Sequence, residues 1–128
     1  MNQYSNKYDL ENRTADFGLA VIKLCHSIRQ DAISRPIISQ IVRSATSIGA
    51  NYCEANGASS KKDFTNKIYI CRKESQETRH WLKMVEGLNL GLSDDLKLLQ
   101  DECRQLILIF QKIGTSLAEK KIEELNIN

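Results

Sequence analysis

Apolar side chains return at spacings of three and four residues along four separate stretches of this chain, and a single proline interrupts its 128 residues. That period fits the turn of an α-helix and not the two-residue alternation of a strand. Each stretch must bury one stripe. Four such stripes joined by short polar segments predict one all-α domain over 1–128, an antiparallel up-down-up-down four-helix bundle. A chain of this length buries roughly two-thirds of the surface its unfolded form exposes, so one core is sustainable without staples.

The first helix is expected over about 10–30, with Phe17, Val21, Leu24 and Ile28 on one face. Asp31–Ser34 reads as a loop, Ser34 as an N-cap, and Pro36 falls in a first helical turn, where its missing N–H does no harm. The second helix is expected over about 35–57, carrying Ile37, Ile38, Ile41, Ala45, Ile48 and Tyr52 inward, with Gly57 as its stop. Ser60 and Asp63 resemble a capping box before a third helix over about 61–89, whose inner stripe is Phe64, Ile68, Cys71, Ser75, Leu82 and Val85. Ser93 is positioned to cap a fourth helix over about 94–119, with Asp94 and Asp95 favourably placed against the helix dipole. Leu99, Cys103, Leu106, Phe110, Ile113 and Leu117 form its stripe, and Leu106–Phe110 is apolar on every side. A helix of that kind in a small bundle calls for a second partner, which self-association supplies; the alternative is a core helix with one exposed leucine. The charged residues Lys120–Asn128 are expected to fray.

The net charge of +2 says less than its distribution. Residues 35–83 carry nine basic groups against four acidic, and residues 84–128 carry five against eight. This polarity suits an acidic partner or charge-complementary self-association. Cys25, Cys53, Cys71 and Cys103 stand apart from one another, so they read as buried free thiols on apolar faces, without a zinc site or a disulfide framework. With no signal-like start and no apolar run near ~20 residues, a cytoplasmic location and no membrane partner are expected.

Arg43, Ser47, Asn51 and Glu54 form a polar line bordering the apolar face of the second helix. It reads either as a solvated strip or as a hydrogen-bonded seam, because serine and asparagine suit exposed helix interiors poorly. In the seam reading Arg43 reaches a carboxylate of Glu54, Glu74 or Glu77 at a helix or subunit boundary. The third helix has two flanks. Lys61, Lys62, Arg72, Arg79 and Lys83 make a basic ridge that could track a phosphate backbone or simply face solvent. Ile70, Glu74, Glu77 and Trp81 make the other flank, a mixture suited to a contact surface. Glu77 and His80 form the Glu-x-x-His of di-iron bundles, but that site needs two such motifs and further inward glutamates. No metal, cofactor or catalytic residue is therefore expected, and the chain reads as a binding or assembly module rather than an enzyme.

The run Arg43-Ser-Ala-Thr-Ser-Ile-Gly-Ala-Asn-Tyr-Cys-Glu-Ala55, the stretch Ser60-Lys-Lys-Asp-Phe and the run from Lys73 to Leu82 resemble the four helix bundle protein family, also called 23S rRNA intervening-sequence proteins. The resemblance extends from about Phe17 to Leu117. It implies an antiparallel bundle assembled into a homopentameric ring, and kinship with the accessory variability proteins of diversity-generating retroelements, basic pentamers that bind nucleic acid and a reverse transcriptase. Carried over residue by residue, it singles out Arg43, Ser47, Asn51, Glu54, Glu74, Glu77 and Trp81. This chain differs from the retroelement relatives in being only weakly basic. Two functions follow as expectations: an oligomeric adaptor associated with RNA or a nucleic-acid-processing protein, or a self-assembling scaffold that binds a protein partner without any nucleic acid.

Overall fold

A computed structural model describes residues 9–88 and 90–127, and the described residues contain four α-helices and no strand. They are α1 (Leu10–His26), α2 (Ser34–Asn56), α3 (Lys61–Gly87) and α4 (Ser93–Ile127), packed as a bundle. The α2–α3 contact is the most extensive and the α1–α4 contact the least. No helix among the described residues is long and apolar enough to cross a membrane.

The periodic stripes form one continuous core. Val21, Ile41, Ala45, Ile48, Ile68, Cys71, Leu82, Cys103, Leu106 and Phe110 are completely buried. Phe64, Ile37, Ile38, Tyr52, Ile113 and Leu117 pack against it half-buried. Thr14 lies against Gly49, and Gly18 against Ala45 and Thr46, so small residues let α1 and α2 approach closely. A Cβ on Gly49 would stand 3.3 Å from Thr14 Oγ1 and 3.4 Å from the α1 backbone, which is why that position has none. Polar side chains inside the core are hydrogen-bonded, as burial requires. Thr78 and Ser44, both fully buried, join their hydroxyls at 2.9 Å across α2 and α3, and the Ser75 hydroxyl donates to the Cys71 carbonyl at 2.7 Å.

The helix ends depart from the sequence expectation in instructive ways. α1 stops at His26 rather than near residue 30, because the Ser27 hydroxyl donates to the Leu24 carbonyl at 2.6 Å and the chain turns there; Ile28 nevertheless stays buried, outside the helix. Ser34 does not cap α2. The Asp31 carboxylate does so, accepting from the Ile33 and Ser34 amides at 2.9 and 2.8 Å, and these bonds hold its carboxyl below the ordinary aspartate range. Ser34 is buried instead, donating to the Arg29 carbonyl at 2.6 Å. Ser60 caps α3 by accepting from the Asp63 amide at 3.0 Å, as its spacing predicts. Gly57 ends α2 at φ −97°, so no left-handed turn is involved. The turn before α4 does use one, at Gly91 with φ 71°. The expected end of the third helix at Asn89 lies outside the described residues.

Two further expectations are corrected. The end of α4 does not fray at Lys120: the helix continues to Ile127, through lysines, glutamates and leucine, all good helix formers. Glu124 in that extension meets Lys61 at 3.3 Å. Leu106–Phe110 is not apolar surface on all sides either. Leu106, Ile107 and Phe110 are buried within the protomer, Ile109 is half-buried, and Leu108 alone is exposed. This segment does not by itself demand a second chain.

The cysteines divide similarly. Cys25, Cys71 and Cys103 are buried free thiols, and loss of water pushes Cys71 and Cys103 up to about 12. Cys53 is exposed, contrary to expectation. Its Sγ donates to Glu11 Oε1 at 2.9 Å, and the thiol is raised first by that hydrogen bond, which holds the proton, and then by the negative charge of the same carboxylate.

Candidate functional site

The polar line of α2 separates into three parts. Ser47 Oγ donates to the Arg43 carbonyl at 2.6 Å, and Asn51 Nδ2 donates to the Ser47 carbonyl at 2.8 Å. Both side chains thus satisfy their own helix by bonding back one turn. Glu54 pairs with Lys67 of α3 at 3.6 Å and is largely exposed. Arg43 alone turns to the carboxylates of α3. Its Nη1 donates to Glu74 Oε2 at 3.1 Å, its Nη2 to Glu77 Oε2, and its Nε to Gln40 Oε1 at 3.3 Å. The structure brings Arg43, Glu74 and Glu77 together and leaves Glu54 apart.

Trp81 completes this cluster. Its Nε1 donates to Glu77 Oε2 at 3.1 Å, so Glu77 fixes both the guanidinium and the indole. The i, i+4 spacing of Glu77 and Trp81 on α3 makes the bond possible. His80 meets the indole edge-on, with ring centroids 4.9 Å apart. Glu74 is buried, whereas Arg43 is 47% and Glu77 32% exposed at the side chain. Ile70, assigned to the same flank, is half-buried. Between α2 and α3 a groove of about 610 Å³ opens, lined by Pro36, Ile37, Gln40, Arg43, Glu77 and Trp81. Two carboxylates face one guanidinium here, so the cluster is net negative.

The basic ridge lies on the other side of α3. Lys62, Arg79 and Lys83 are exposed, Arg72 is half-buried, and none of the four is in an ion pair among the described residues. Lys61 differs, being drawn to Glu124. Among the described residues no cluster of three His, Cys, Asp or Glu side chains is placed to hold a metal.

One ion pair escaped sequence reasoning altogether. Arg13 Nε and Nη2 donate to Glu102 at 2.8 and 2.7 Å, and Nη2 also reaches Gln105 Oε1 at 2.8 Å, tying α1 to α4. The hydrogen bonds that Arg13 donates to Glu102 raise its guanidinium above its ordinary value. Neither residue belongs to a motif, and 89 positions separate them, so spacing carries no trace of the pair.

The chain matches the family described as 23S rRNA-intervening sequence protein over residues 6–112. It is also similar to the crystal structure of a protein of unknown function from the S23 ribosomal protein family of Bacteroides thetaiotaomicron VPI-5482. That likeness has a TM-score of 0.72 and 26% identity, covering 81% of this chain and 96% of the other. A comparison with curated proteins returns no match. With the match covering most of its length, and four helices packed as a bundle, the chain belongs to the 23S rRNA-intervening sequence protein family.

Proposed function

We propose that the protein is a non-enzymatic, cytoplasmic adaptor associated with RNA or a nucleoprotein, built as an antiparallel up-down-up-down bundle. The helix directions are supported by ordered pairs: Ser44 with Thr78 and Glu54 with Lys67 between α2 and α3, Ser75 with Cys103 and Lys61 with Glu124 between α3 and α4. The cytoplasmic setting is supported by four unpaired cysteines. The observation that carries the adaptor reading is the division of α3. One flank presents Lys62, Arg72, Arg79 and Lys83 without ion-pair partners among the described residues, while the other holds its carboxylates on Arg43. Unpaired cations along a helix of 27 residues form a line that can follow phosphates.

Titration of a structured RNA against Lys62→Glu, Arg79→Glu, Lys83→Glu tests this. Affinity is expected to fall to a similar degree for unrelated sequences, and the slope of log affinity against log salt to shrink by roughly one per lost contact, because phosphate contacts release counterions without reading bases. Full affinity in the triple variant would remove the ridge as the site.

A second reading, a self-assembling scaffold with a protein partner, is favoured by the weak net charge and by Leu108, Ile122 and Leu125, which remain exposed along α4. Assembly into a homo-oligomer, a pentamer by family likeness, belongs to both readings. Light scattering at micromolar concentration is expected to give a mass several times 14.6 kDa, and a monomer would exclude it.

A further inference from the structure

α4 carries two surfaces that its own bundle leaves unused. The first is a groove of about 370 Å³ lined by Ile109, Lys112, Ile113, Ser116, Leu117 and Lys120. Ile109, Ile113 and Leu117 follow one another at steps of four residues and make a half-buried apolar floor. Lys112, Ser116 and Lys120 repeat the same step beside it as an exposed wall. No carboxylate lines the groove, and neither lysine is in an ion pair among the described residues. Its lining therefore holds two uncompensated positive charges. With the helices antiparallel, α1 does not cover it: α1 begins at Leu10, and Arg13 already meets Glu102 and Gln105.

The second surface centres on Leu98, at 72% the most exposed large apolar side chain among the described residues. Positions three and four residues away are its neighbours on the helix surface, and all of them are acidic: Asp94, Asp95, Asp101 and Glu102. Arg104 holds Asp101 and Arg13 holds Glu102, whereas Asp94 and Asp95 are in no ion pair among the described residues. The start of a helix suits Asp94 and Asp95, but it gives no reason for a bare leucine among them. An apolar knob in an acidic ring is the counterpart of an apolar floor beside two lysines. Leu98 and the middle of the groove stand roughly 25 Å apart along one helix, so a chain cannot join its own two surfaces.

We propose that the groove receives Leu98 of a second copy of this chain, with Asp94 and Asp95 of that copy meeting Lys112 and Lys120. The inference rests on the homo-oligomer reading and deepens it by naming the two surfaces in contact. Every copy offers one knob and one groove, so a head-to-tail contact passes from copy to copy and closes into a ring where the rotation allows it. RNA suits the groove less well, because its apolar floor has no aromatic side chain on which bases could stack.

Sedimentation velocity of the full chain over a concentration series reads the midpoint at which the assembly dissociates. Leu98→Asp, at an exposed position, should raise that midpoint by about tenfold or more, and added salt should raise it further. Lys112→Glu with Lys120→Glu should do the same, and so should Asp94→Lys with Asp95→Lys, all with helix content unchanged by circular dichroism. Mixing the two charge-reversed proteins should restore assembly to within a few-fold of the parent, because reversed groove then meets reversed ring and native meets native.

Unchanged midpoints in these variants would overturn the proposal and leave the homo-oligomer standing, as would a mixture that fails to reassemble. A parent that stays monomeric throughout defeats both. Groove variants that melt earlier at unchanged mass would mean that a segment of the same chain fills the groove, and would overturn the contact. Loss of RNA binding at unchanged mass would assign Lys112 and Lys120 to nucleic acid, with the same consequence.

Discussion

Arg43→Gln is expected to destabilise the bundle by about 1–3 kcal/mol, because it leaves the buried Glu74 carboxylate without its donor. A fully buried pair would lose roughly 3–5 kcal/mol on removal of one partner. Arg43 is about half exposed, so water replaces part of what is lost and the lower range applies. Glu54→Gln is expected to change stability by less than about 1 kcal/mol, since Glu54 is mostly exposed and meets Lys67 at 3.6 Å. The double variant should equal the sum of the singles, because the two side chains share no partner. Urea unfolding of the three proteins supplies the numbers. An Arg43→Gln protein as stable as the parent would mean that the cluster is ordinary solvated surface, and a large loss in Glu54→Gln would restore the continuous polar seam.

Phe110→Ala should have the largest effect of any single change argued here, a loss of about 3–5 kcal/mol. Phe110 is completely buried, and its ring lies 6.0 Å from that of Tyr52 across the bundle, at 59°. Removing it takes away apolar burial and opens a cavity bounded by α2 and α4. The surrounding helices are held at other points by Arg13–Glu102 and the Ser44–Thr78 hydroxyl pair, which limits their collapse into the space. Phe110→Leu keeps most of the volume and should lose only about 1 kcal/mol. Denaturant midpoints at constant m-value measure both. A loss below about 1 kcal/mol for alanine would show that the core repacks freely, and the outer positions of Arg43 and Trp81 could not then be treated as rigidly presented.

How much of this was legible in the sequence depended on whether the information was local. The helix stripes were, because burial acts on every turn and a 3.6-residue period registers wherever a face is covered. The Ser60–Asp63 cap was also legible, since its bond spans three residues. Ser34 is ambiguous for a related reason: cap residues look alike, and the bend of the loop decides that Asp31 accepts from the first amides while the Ser34 hydroxyl turns back to the Arg29 carbonyl. The end of α4 is not legible from charge, because lysine and glutamate favour helix once the preceding turns are nucleated.

At the candidate site the residue types were readable and their partners were not. Arg43, Glu74, Glu77 and Trp81 stood out by spacing, yet Glu54 stood out equally and belongs to another pair. Spacing along one helix places side chains on a face, and it contains nothing about which side chain of a neighbouring helix arrives opposite. That is a matter of crossing angle and offset, which follow from the fit of core side chains such as Gly49 against Thr14 and Phe110 against Tyr52. The sequence alone therefore determined that four amphipathic helices form one core, and that α3 has a basic flank and a mixed one. Only the tertiary structure decided that Arg43 is held by two carboxylates, that a groove opens beside Trp81, and that Arg13 locks onto Glu102, because each depends on the register between helices, which packing sets and periodicity does not encode.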